Sequence, residues 1–180
     1  MDFMELARAR YSCRSLSDRP VAGELVDRII EAARLAPTAT NAQAWRIWVA
    51  DTPQAVEKVN RATPCHFGAG TILVLGAKPD AAWTRDTDGH SFADVDAGIV
   101  GAHILLEVQQ LGLGTTWVGR IDPEALVGLF PEMEGYTIVG LFPIGYPSQT
   151  EAGQPGRKHD IRRPASETIV RLWPDCPGSR

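Results

Sequence analysis

The sequence predicts one domain, residues 1–180, in which a mixed β-sheet is covered by helices. Three observations predict it. Apolar residues make up 44% of the 180-residue chain and charged residues 22%, the balance of a globular protein with a core of its own. Three short and almost uninterrupted apolar runs, at 45–50, 71–77 and 136–147, read as strands. Between them lie segments of helical periodicity, and helices and strands are mixed rather than strictly alternating. No repeat, low-complexity segment or break in composition marks a second domain.

The elements follow in order. Residues 2–10 are helical, with Phe3, Leu6 and Ala7 on one side. A clearer apolar stripe of Leu25, Val26, Ile29, Ile30 and Ala33 predicts a helix over 22–36, which Pro37 ends because the residue before a proline avoids the helical region. "PTATNAQ" is a polar loop, and "WRIWVA" at 45–50 reads as a buried strand. Thr52-Pro53 is an N-cap followed by a first-turn proline, and that helix runs to about Ala62. "TILVLGA" is a second buried strand, and residues 78–92 form a polar loop with aromatic punctuation. The long helix at 94–111 closes at Gly112. It is apolar on more than one side, and Gly98 and Gly101 would let another backbone approach. "GLGTTWVG" at 112–119 leads into a short strand, "DPEALVGLF" is an N-capped helix, and 136–147 is the third strong strand. The basic stretch "GRKHDIRRP", a short helix and a tail at 171–180 of unassigned order complete the chain.

Charge and composition exclude several functions. A net charge of -4 and a pI near 5.5 argue against nucleic-acid binding through bulk positive charge. Cys13, Cys65 and Cys176 are odd in number and far apart, with no CxxC, which argues against a disulfide framework or a zinc site. His66, His90 and His159 lack metal-ligand spacing, so no metal is expected, and His103 reads as a hydrogen-bonded core or interface residue. The N-terminus has early acids and no apolar region, unlike a signal peptide. The most apolar stretch contains Asp94, Asp96, His103 and Glu107, too polar to span a bilayer. Those two aspartates suit the start of a helix dipole and need no catalytic role. The expectation is a cytoplasmic protein without membrane or nucleic-acid partners.

Four stretches carry candidate chemistry. In "RYSCR", Arg10 and Arg14 stand one helical turn apart and can face the same way at a helix end, with Ser12 adding a hydroxyl. A phosphate, with roughly −1.5 to −2 charges and three acceptor oxygens, suits such a trio. On local pattern alone, a solvated helix end with surface arginines is the more common reading. "APTATNAQAW" offers short hydrogen-bonding side chains suited to an amide-rich heterocycle, or simply a turn. "GLGTTWVG" lacks the spacing of a dinucleotide fingerprint and would serve close backbone approach to a flat ligand, or a helix C-cap before a strand. "RKHDIRRP" either supplies a second set of phosphate-binding cations or is a charged loop.

Together and in this order, "RYSCRSLSDRPV", "LVDRIIEAARLAPTATNAQAW", "DVDAGIVGAHILLEVQQLGLGTTWVG", "FPIGYP" and "RRPASE" resemble the nitroreductase family of flavin mononucleotide oxidoreductases, over roughly residues 5–170. The resemblance implies an α+β fold with a mixed, mainly antiparallel sheet flanked by helices. It also implies noncovalent FMN, NADH or NADPH as electron donor, and an intertwined homodimer with two sites at the interface. Carried over by position, Arg10 and Ser12, with Tyr11 and Cys13 between and beside them, match the flavin-anchoring segment, Arg10 toward the phosphate. Arg14 matches the cation at the pyrimidine end, where negative charge develops as a flavin takes a hydride. Pro37, Thr38, Ala39, Asn41 and Gln43 match the loop that reaches the flavin from the partner chain, with Ala44 where the family often has proline. Thr116, Trp117, Val118 and Gly119 match the strand whose amides lie against the ring system. Arg162, or Arg163 as second choice, matches the C-terminal phosphate-binding arginine. A substrate lid would have to come from 78–92, through Trp83, Arg85 and His90. The implied activity is hydride transfer from NAD(P)H through flavin N5 to a small electron-poor acceptor such as a nitroaromatic or quinone, with no side-chain acid or base. Dehalogenation, dehydrogenation, flavin destruction and non-catalytic flavin binding are the alternatives.

Overall fold

Helix α1, Phe3–Ala9, begins where a capping box closes it: Asp2 accepts the Glu5 N–H at 2.8 Å and the Glu5 carboxylate accepts the Asp2 N–H at 2.9 Å. The computed structural model describes residues 1–172, so the tail at 173–180, with Cys176, lies outside the described residues. Helix α2, Gly23–Arg34, buries Val26, Ile29 and Ala33, the spacing of one helical face. Helix α3, Pro53–Arg61, starts at Thr52, whose hydroxyl accepts the Ala55 N–H at 3.3 Å. Helix α4, Ala93–Gln110, is followed by Gly112 in the left-handed region at φ 71°, which lets the chain turn back. Helix α5, Pro123–Leu129, is capped by Asp122, and the short α6, Ala165–Thr168, follows Pro164.

Strands β1 (Trp45–Ala50), β2 (Thr71–Ala77) and β3 (Thr137–Ile144) form one sheet in the order β1-β2-β3. Both pairings are antiparallel, Val74 standing opposite Trp48 and Leu141, with an irregularity at Leu75/Gly76. The fold is therefore α+β, as the resemblance implies, and the three described strands all pair antiparallel. Strand direction depends on how often the intervening helices run the length of the sheet, which apolar runs do not encode. The central strand β2 is buried throughout and splits the core by its period of two. Leu73 and Leu75 meet Ile29 of α2 and Val100 and Ile104 of α4, with Phe142 and Ile144. Ile72 and Val74 meet Val59 of α3 and Leu126 of α5, with Met133 and Leu141.

Three expectations are corrected. Strand β1 buries only Ala50 and leaves Arg46 exposed, because as an edge strand it has a single neighbour. Residues 112–119 form no strand and touch β3 and its extension through single bridges, Gly114 to Gly145 and Val118 to Leu141. Gly101 does not wait for a second backbone: its space is filled by the Trp117 indole of the same chain, while Gly98 has nothing within 4 Å of where a side chain would begin. Among the described residues, no helix is long and apolar enough to cross a membrane.

Candidate functional site

After Ala9 the chain leaves the helical region, Arg10 taking φ -62° and ψ 124°. Residues 10–16 then lie outside any helix and are held by three neighbouring segments. Cys13 donates its N–H to Thr115 O at 2.9 Å, Arg14 to Ala152 O at 2.9 Å and Leu16 to Phe67 O at 3.0 Å. This corrects the reason for the arginine pairing. Arg10 is the C-cap of α1, and Arg10, Tyr11, Ser12 and Arg14 line one cleft from the segment beyond the helix end, not from a helical turn. Cys13 and Leu16 are buried, and the Cys13 side chain packs on Gly114, so Cys13 faces the core rather than a ligand.

A cleft of about 280 Å³ opens on the outward side. Arg10, Tyr11, Ser12 and Arg14 line it from the N-terminal segment, and Gly156, Lys158, His159 and Arg162 from the C-terminal loop. The loop is fixed to the segment by side chains as well as backbone: the Tyr11 hydroxyl donates to Gly153 O at 2.9 Å and the Ser148 hydroxyl to that of Ser15 at 2.9 Å, beside the Ser148 N–H to Ser15 O bond at 2.9 Å. The Tyr11 ring also stands edge-on to His159, centroids 6.3 Å apart. Burial, and secondarily the neighbouring Cys13 thiol, push the Tyr11 hydroxyl above the ordinary tyrosine range. Arg162 curls back so that Nη1 donates to His159 O at 2.6 Å and to Ile161 O at 2.9 Å. Among the described residues no Asp or Glu lines the cleft, which gathers the four cations Arg10, Arg14, Lys158 and Arg162. A dianion with several acceptor oxygens is the ligand that such a donor set fits.

Arg14 also lines a second, shallower pocket of about 170 Å³ together with Cys65, Phe67, Thr116, Trp117, Val118, Gly119 and Arg120. Its floor is rigid. Val118 and Leu141 exchange backbone hydrogen bonds at 2.9 and 3.0 Å. The Trp117 indole points inward over Gly101 and Gly140 and donates to Val139 O at 3.2 Å. A backbone pinned from below and open above suits a flat ring, and Arg14 joins this surface to the cationic cleft.

The remaining candidates stand elsewhere. Arg163 is exposed and lines neither pocket. Trp83, Arg85 and His90 sit on a turn closed by the Thr84–Ser91 bridge, where Arg85 pairs with Asp88 and both aromatic rings pack on Phe92. They line neither pocket. Pro37, Thr38, Ala39, Asn41 and Gln43 also line neither within the single chain. The sequence reading did not single out Lys158, His159, Cys65, Phe67 or Arg120. The first two lie in the basic stretch already noted, whereas Cys65 and Phe67 carry no local signal. His103 is hydrogen-bonded as expected, Nδ1 to Ile99 O at 2.9 Å.

A family model described as "Nitroreductase family" matches residues 7–67 and 63–146. Of solved structures, the chain is similar to a nitroreductase family protein from Clostridium difficile 630, at 31% identity and a TM-score of 0.86 over 94% of this chain and 98% of that one. It is also similar to a candidate nitroreductase from Desulfovibrio desulfuricans solved in complex with FMN, at 25% identity and a TM-score of 0.73 over 94% and 95%. Among curated relatives, it is 30% identical over 164 residues to the Bacillus subtilis strain 168 protein named FMN reductase (NAD(P)H), covering 80% of this chain and 65% of that one.

Proposed function

The chain belongs to the nitroreductase family, and on that premise we propose that it is an FMN-dependent oxidoreductase that passes a hydride from NADH or NADPH to a small electron-poor acceptor such as a nitroaromatic or quinone. One observation carries this reading: an acid-free cleft of four cations shares Arg14 with a flat, backbone-floored pocket. A phosphate and a fused ring on one ligand match that pair of surfaces, and the relatives named for FMN or solved with it point the same way.

When bound, FMN supplies the hydride chemistry. The chain supplies position and charge. Arg10, Lys158 and Arg162 hold the phosphate through charge-assisted hydrogen bonds, and Ser12 contributes its hydroxyl. Arg14, where the two surfaces meet, stabilises negative charge at the pyrimidine end. The stretch Thr116–Gly119 presents its backbone to the ring and keeps its one large side chain, Trp117, out of the way. No side chain is assigned as general acid or base. The 37–43 loop completes the site from a second copy of the chain, which makes the functional unit a homodimer.

Purified protein is expected to be yellow, to release FMN on heating, and to oxidise NADH or NADPH when an acceptor is present. Protein that binds no FMN overturns the cofactor assignment. Flavin-loaded protein that leaves both nicotinamide nucleotides unoxidised overturns the enzymatic one.

A further inference from the structure

Asp96 stands in the first turn of α4 and is 1% exposed, the only acid among the buried residues described. A favourable interaction with the helix dipole does not require burial, as Asp94 in the same turn shows by standing in solvent. Burial of a carboxylate needs a specific partner. Oδ1 has one, the Ala39 N–H at 3.0 Å. Oδ2 is sealed from solvent with no partner among the described residues.

Ala39 opens a tight turn of unusual backbone. Thr40, Asn41 and Gln43 have φ of 51°, 57° and 49°, in the left-handed region, which is especially unfavourable for the β-branched Thr40. The turn is tied internally: Thr38 Oγ1 accepts the Gln43 N–H at 3.0 Å, and Gln43 Nε2 donates to Asn41 Oδ1 at 3.1 Å. The Asp96–Ala39 bond is the only described hydrogen bond from residues 37–43 to a distant part of the chain. Asn41 and Gln43 are exposed. One buried carboxylate thus anchors a strained loop whose polar side chains face outward.

We propose that Asp96 is a positioning residue, fixing the 37–43 loop in the shape in which Asn41 and Gln43 meet the flavin bound to the partner subunit. The ligand in this statement rests on the flavin reading above; the anchoring of the loop does not.

The experiment therefore has two arms, both on the full chain. The first is amide exchange without ligand. In the wild type the Ala39 amide exchanges slowly although its loop is exposed; in Asp96→Ala it speeds up by about tenfold or more, and Asp96→Asn, whose amide oxygen still accepts, restores protection. An Ala39 amide as fast as that of Thr40 in the wild type overturns the anchor. The second arm is titration with FMN and with riboflavin. Asp96→Ala weakens both by the same factor, about tenfold, because the loop lies apart from the cationic cleft. Asp96→Asn stays close to wild type. Gln43→Ala added to Asp96→Ala weakens binding no further, since a released loop has already lost that contact. Wild-type riboflavin affinity in Asp96→Ala, or additive losses in the double variant, overturns the positioning role. If Asp96→Ala does not fold, Asp96→Leu, which removes the acceptor with little loss of volume, takes its place. Wild-type protein that binds neither flavin defeats the flavin reading, while the exchange arm still judges the anchor.

Discussion

Arg10 and Arg162 are separated by most of the chain, yet they share a cleft with Lys158 and Arg14 and with no acid. On the flavin reading a bound phosphate would offset the repulsion of these like charges, so the effect of removing a cation should depend on the phosphate. Arg10→Ala or Lys158→Ala is expected to weaken FMN by about 1.5–3 kcal/mol, roughly tenfold to a hundredfold, and riboflavin hardly at all. Titration of apo-protein with both ligands checks this, and equal losses would refute the phosphate assignment. Arg14 differs by touching both pockets. Arg14→Gln should lower the flavin's two-electron potential, by about 30 mV for each 1.4 kcal/mol of lost preference for the reduced form. An unchanged potential in flavin-loaded variant protein counts against it. Tyr11 titrates above its ordinary value because burial, then Cys13, disfavours its ionised form. Its contribution to stability is complete below about pH 10 and is lost as pH rises through its folded-state value. A tyrosinate absorbance titration should show a late step that is absent in Tyr11→Phe.

At the scale of elements, α4 and the 112–119 stretch are locked together by Trp117. A methyl group on Gly101 or Gly140 would collide with its indole. Gly101→Leu should therefore expel Trp117, disturb the floor of the flat pocket and destabilise the fold by about 1–3 kcal/mol. Denaturation midpoints and tryptophan fluorescence read both effects, and an unmoved spectrum would show the indole packing to be misassigned. The elements themselves were largely legible, because caps such as Asp2, Thr52 and Asp122 and the stripe on α2 are local signals. So was the Arg10–Arg14 cluster, although it forms beyond the end of α1 rather than on a helix face. What the sequence withheld is non-local. Cys65 and Phe67 line the flat pocket from a segment far from Thr116–Gly119 in sequence, where Phe67 O accepts the Leu16 N–H. Asp96 reads as an ordinary helix-start acid until its burial against Ala39 is seen. The service of Gly101 to Trp117 depends on packing between segments 16 positions apart.

The molecule as a whole leaves apolar surface that one copy does not cover. Phe3 is 67% exposed on α1, which lies against α4, and Val95 on α4 is 43% exposed. Past α6, Ile169, Val170 and Leu172 stand in solvent. Gly98 adds an open point on α4 where another backbone fits. The 37–43 loop, with Asn41 and Gln43 facing outward, lines neither pocket of its own chain. The homodimer proposed above would answer all of these at once, burying the apolar surface and bringing the loop to the partner's site. An obligate interface of this kind buries on the order of 2,000 Å² or more with an apolar centre. Flavin content and thermal stability should then rise with protein concentration. Gly98→Leu and Val95→Glu should each shift the protein toward monomer and release flavin, although neither residue lines a pocket. Gly98→Leu should do so without the fluorescence change expected of Gly101→Leu. Sizing chromatography with simultaneous protein and flavin absorbance decides between the alternatives. Colour confined to the dimer peak, and lost as the variants dissociate, is the expected result; a yellow monomer that oxidises NAD(P)H would falsify the shared site.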